Sequence, residues 1–119
     1  MKFQTLSILS AAMLAGGLLA RASDFNALVL EQIRTMPDGG GYATTREAHT
    51  ALNSSVQPSA GSVSIQPAKA CPSYCSGATY LVFLKTLHAA EKKGLMPPLG
   101  SVWAALAPKS SPDGVGIWG

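Results

Sequence analysis

Cys75-Ser76-Gly77-Ala78 opens an apolar run, Thr79-Tyr80-Leu81-Val82-Phe83-Leu84, and the reading of this stretch decides the fold. The run has too few turn residues for a loop, and with Lys85 to Lys93 behind it the pattern predicts one long helix over about 74–93. Ser73 is the expected N-cap, which puts Cys75 and Ser76 in the first turn. There, backbone N–H groups and the helix dipole stabilise an anion, so a thiol at this place is expected to be reactive. Ala78, Tyr80, Leu81, Val82, Phe83, Leu84 and Leu87 cover nearly the whole circumference of the early turns, which predicts a helix buried on all sides with its start lying deep. The later turns become amphipathic, and Gly94 followed by Pro97-Pro98 marks the stop.

Working outward, Phe25, Leu28, Val29, Ile33 and Met36 recur at helical spacing and predict an amphipathic helix over about 24–36. Pro37-Asp38-Gly39-Gly40-Gly41 is a turn that ends it. Thr44 with Glu47 three residues on reads as a capping box for a helix over about 45–53, with Ala48, Ala51 and Leu52 on one side. Residues 53–70 read as a surface loop, within which Ser62-Val63-Ser64-Ile65 alternates like a short edge strand. Ser101 can cap a short helix that carries Val102, Trp103, Leu106 and Ala107. The chain therefore reads as mostly α with little strand.

The N-terminus reads as an export signal. Lys2 precedes an apolar stretch from Leu6 to Leu19, and Ala20-Arg21-Ala22 has the small-x-small pattern of a cleavage site. Cleavage after Ala22 leaves a mature domain over 23–119, secreted or periplasmic, and the apolar stretch is too short to remain as a membrane anchor. Residues 23–119 hold seven basic and six acidic residues, scattered rather than striped, so no nucleic-acid partner is expected. Two cysteines without a second ligand pair do not make a metal site, and no cofactor motif is present: Gly39-Gly40-Gly41 lacks the lysine of a phosphate loop.

Cys-Ser-Gly followed by a small residue and an aromatic-aliphatic helix resembles the NlpC-like branch of papain-fold cell-wall peptidases and amidases. The likeness covers about residues 71–90. It implies an α+β fold for the full papain-like domain, a catalytic Cys75 that attacks peptide amides of peptidoglycan or another amide substrate, and an oxyanion held at the helix start by Ser76 and Gly77. Tyr42 and Tyr74 are candidates for the substrate groove. The family usually has Asp directly before the cysteine, where this chain has Tyr74. The family's histidine lies on a strand well downstream. His88 stands on the same helix, roughly 20 Å along its axis from Cys75, and reads as a partly exposed helix residue. His49, on the preceding helix, precedes the cysteine and breaks the family order. Ending on Ile117-Trp118-Gly119 without a run of strands, the chain reads as a truncated or degenerate version of a longer papain-like domain, inactive as it stands. The competing readings make Cys75 an inert buried thiol, or pair it with Cys71 in a disulfide within a non-catalytic secreted helical module.

Overall fold

The computed structural model describes residues 25–107. The expected signal, its cleavage site and the Ile117-Trp118 tail lie outside the described residues. Within them, 55% of the chain is helical and a single two-stranded sheet is present, so the chain is mostly α with little strand.

Helix α1 spans 25–34. It buries Leu28 and half-buries Gln32, and Met36, two residues beyond its end, is half-buried as well. Ile33, expected on the buried face, is 49% exposed, as is Leu30 at 53%. Helix α2, Arg46–Ser55, is capped by Thr45, whose hydroxyl accepts the Ala48 N–H at 3.4 Å. The cap is thus one residue later than the expected Thr44, because Thr45 has the extended backbone (φ −83°, ψ 167°) that a cap needs. The Glu47 carboxyl is held below its ordinary range by its own backbone N–H and the Thr45 hydroxyl. Ala48, Leu52 and Ser55 form the buried face.

Residues 53–70 are more regular than a loop. α2 runs directly into β1, Val56–Ser59, which pairs antiparallel with β2, Ser62–Ile65, in the register Val56↔Ile65 and Pro58↔Val63. Gly61, at φ +77°, makes the reversal. β2 is the strand expected from alternation. β1 escapes a sequence reading because Pro58 and two polar residues hide it, and it pairs only on the side facing β2. Val56 and Val63 turn inward. A 3-10 turn, Pro67–Lys69, leads on to the next helix.

Helix α3, Cys75–Lys92, is the axis of the fold. Tyr80, Leu81 and Leu84 pack with Leu52, Val56, Val63, Ala70 and Trp103 in one core cluster. The expectation of an all-round buried helix is corrected: Cys75, Ser76 and Thr79 are exposed, Phe83 is 38% exposed, and Gly77, Tyr80, Leu81 and Leu84 form the buried face. The hairpin, α2 and α4 cover that face among the described residues. The helix end is built as expected. Gly94 takes φ +68°, Leu95 N–H reaches Ala90 O at 2.9 Å, and Gly94 N–H reaches Glu91 O at 3.0 Å, a Schellman closure.

Helix α4, Val102–Leu106, returns across α3. Its Trp103 is 1% exposed, and the indole N–H donates to Glu91 Oε2 at 3.1 Å. Glu91 Oε1 accepts the Leu99 N–H at 2.9 Å, and the Tyr80 hydroxyl donates to Leu106 O at 2.6 Å. Burial raises the Tyr80 phenol well above its ordinary value. On the other flank, Lys85 donates to Thr35 Oγ1 and to Gln32 O, a cation placed at the carbonyl end of α1. Lys93 pairs with Glu31 at 3.1 Å, but both side chains are more than half exposed, so the pair adds little.

Candidate functional site

The site is assembled where the glycine loop meets the approach to α3. Tyr42 and Ser73 form a parallel β-bridge: Ser73 N–H donates to Gly41 O at 3.2 Å and Ala43 N–H to Ser73 O at 2.9 Å. Gly40 makes this approach feasible. It has φ +91°, and a Cβ at its position would lie 2.7 Å from Cys71 Sγ. Only a glycine satisfies both demands.

The bridge carries Ser73 as extended chain, so the helix starts one residue later than expected. Tyr74, not Ser73, is the N-cap (φ −133°, ψ 164°), and it offers no side-chain cap. Ser73 Oγ is instead buried without a hydrogen-bond partner, 3.2 Å from where a Cβ on Gly77 would stand. A Cβ on Gly77 would be tight against Ser73 Oγ and in ordinary contact with Leu52 and Tyr74 at 3.4 Å. Cys75 is the first residue of α3. The first ladder bond runs from Ala78 N–H to Tyr74 O at 2.9 Å, so the N–H groups of Cys75, Ser76 and Gly77 precede the ladder.

Between the loop and the helix lies a cleft of about 260 Å³. Cys75, Ala78 and Leu81, one side of α3 at i, i+3, i+6 spacing, line it. Cys71, Tyr74 and Tyr42 join them. Four of the residues singled out from the sequence, Tyr42, Cys71, Tyr74 and Cys75, are therefore brought to one place. Tyr42 is 71% exposed. Both cysteines are exposed free thiols. Cys75 is thus not the buried inert thiol of one reading, nor is it bridged to Cys71 in this structure. Its helix start is at the surface rather than deep. The side chain of Ser76 is exposed and Gly77 is buried; neither lines the cleft.

Neither histidine lines the cleft. His88 stands edge-on to Trp103, with ring centroids 5.9 Å apart, near the far end of α3. His49 comes closer, from α2: its Nδ1 is 3.0 Å from the Tyr74 hydroxyl, and the two rings lie 4.8 Å apart at 48°. Burial raises the Tyr74 phenol. The His49–Tyr74 and Gly40–Cys71 contacts join residues far apart in the chain, and no spacing in the sequence signals either. Among the described residues there is no cluster of three or more His, Cys, Asp or Glu side chains able to hold a metal, and no helix long and apolar enough to cross a membrane.

No family model, no curated protein and no solved structure matches the chain.

Proposed function

We propose that this is an exported cysteine peptidase- or amidase-like protein, similar to the NlpC-like cell-wall enzymes, with Cys75 at the nucleophile position. One observation carries the reading: an exposed thiol is the first residue of the central helix and opens onto a cleft. Cys75 Sγ, as thiolate, attacks the carbonyl carbon of a bound amide. The tetrahedral oxyanion is received by backbone N–H groups of Ser76 and Gly77, which the helical ladder leaves available. Collapse expels the amine, which takes up a proton, and leaves an acyl thioester on Cys75 for water to hydrolyse.

A cysteine hydrolase needs a base within hydrogen-bond reach. His49 is engaged by Tyr74 and His88 faces Trp103, so turnover on unactivated amides is expected to be slow or absent. Acylation by an activated ester, which needs less help, is expected to proceed. The second reading, a non-catalytic module that bridges Cys71 to Cys75, draws on the placement of both thiols in one cleft. Export through the leader, with Ser23 as the mature N-terminus, belongs to both.

The test uses exported protein, its N-terminus set by intact mass, offered a p-nitrophenyl ester and peptidoglycan. The reading expects an acyl adduct mapped to Cys75, lost in Cys75→Ala, with little peptide released from peptidoglycan. An adduct elsewhere, or a burst that survives Cys75→Ala, rejects it.

A further inference from the structure

We propose that the cleft beside Cys75 selects an uncharged apolar group, of about the size of a ring or a branched aliphatic side chain, next to the amide that the thiol would attack. The proposal rests on the reading of Cys75 as nucleophile only for the word amide; the selectivity of the cleft is a separate property.

The lining carries it. Met36, Pro37, Tyr42, Ala78 and Leu81 supply apolar surface, and Tyr74 adds a ring. No carboxylate, ammonium, guanidinium or imidazole lies among the described lining residues. Lys85, ten residues beyond Cys75 on α3, is hydrogen-bonded to the end of α1. Asp38 and Lys69 sit in sequence beside lining residues, but both are exposed and neither lines the cleft. A carboxylate or ammonium entering here would leave water without a charged side chain to pair with, which is unfavourable.

Size sets the other limit. A cavity of about 150 Å³ accepts benzene, and this cleft measures about 260 Å³. It therefore holds one ring or branched chain together with the flanking amide. Within a peptide substrate, the residue beside the scissile bond would be neutral rather than a diacid or a diamino acid.

The experiment compares four chloroacetamides on the full chain, with N-benzyl, N-isobutyl, N-carboxymethyl and N-aminoethyl substituents. Labelling of Cys75 is followed by peptide mapping and divided by the rate for the same probe in concentrated urea. The two neutral apolar probes should gain about tenfold on folding, the effect of withdrawing roughly 60 Å² of apolar surface from water. The two charged probes should gain much less. Ala78→Leu, a helix-compatible change that fills the cleft, should erase the neutral advantage. Tyr42→Ala, at an exposed position, should reduce the advantage and stands in if Ala78→Leu fails to fold by circular dichroism. Charged probes that gain as much as the neutral ones, or a neutral advantage untouched by the folded variant, overturns the proposal. Alkylation needs neither a base nor turnover, so a failure of the activated ester to acylate Cys75 would count against the proposed function and leave this result standing.

Discussion

Replacing Tyr74 tests how the start of α3 is held. Its hydroxyl pairs with His49 Nδ1 at 3.0 Å, and the rings meet at 4.8 Å. Tyr74→Phe removes the hydrogen bond and keeps the ring, so it should cost about 1 kcal/mol. Tyr74→Ala loses the ring contact as well, about 1 kcal/mol. It also loses the apolar burial of the part of the ring now packed on the core; for roughly 80 Å² that adds about 2 kcal/mol. The total is about 4 kcal/mol, a large share of the 5–15 kcal/mol typical of a domain. Each kcal/mol lowers the melting temperature of a domain this small by about 4–8 °C, so Tyr74→Phe should melt about 4–8 °C below the parent and Tyr74→Ala well below that. Far-UV circular dichroism melts, with His49→Ala and the two double variants, complete the cycle. The expected coupling between Tyr74 and His49 is about 1 kcal/mol or more. Costs that add to within about 0.4 kcal/mol would show that the two side chains do not act together, and would refute the account of how α2 fixes the cysteine.

Gly40→Ala combines a positive φ with a Cβ that would press on Cys71 Sγ; it should lose about 1–3 kcal/mol in urea unfolding and raise the labelling rate of Cys71. Glu91→Gln weakens two charge-assisted bonds, from Leu99 N–H and Trp103 Nε1–H, and should cost about 1–3 kcal/mol, with a changed near-UV signal from Trp103. Burial raises the Tyr80 phenol above its unfolded value. Stability is therefore fully present below the unfolded value of about 10 and falls as pH rises beyond it, by up to about 1.4 kcal/mol per pH unit. Melts between pH 8 and pH 11 on parent and Tyr80→Phe should show a smaller alkaline loss in the variant.

The position of Cys75 was legible because helix signals are local: a long apolar run, a glycine stop at Gly94 and a break before the cysteine. The identity of its cap was not, since Ser73 is committed to a bridge with Tyr42 that only the fold brings about. The pairing of β1 with β2 was hidden by Pro58, and Thr45 rather than Thr44 caps α2 because the choice rests on one residue's backbone angles. Counting apolar residues around α3 overstated its burial. Composition gives the circumference of a helix but not how much of it the neighbours cover, and Phe83 remains 38% exposed. The site followed the same division. Tyr42, Tyr74, Cys71 and Cys75 could be picked out one by one, and the cleft that unites them comes from the Gly40–Cys71 approach.

The central claim, that Cys75 occupies a nucleophile's position, is tested most directly by competition between the two thiols. Both are exposed, so access alone does not separate them. Cys75 begins α3, and Cys71 lies ahead of it in the loop. A helix N-terminus favours an anion by about 0.3–1 kcal/mol at an exposed position, so limiting iodoacetamide at neutral pH should label Cys75 about two- to fivefold faster than Cys71. In concentrated urea the two rates should converge. Equal rates in the folded chain, or faster labelling of Cys71, would contradict the account.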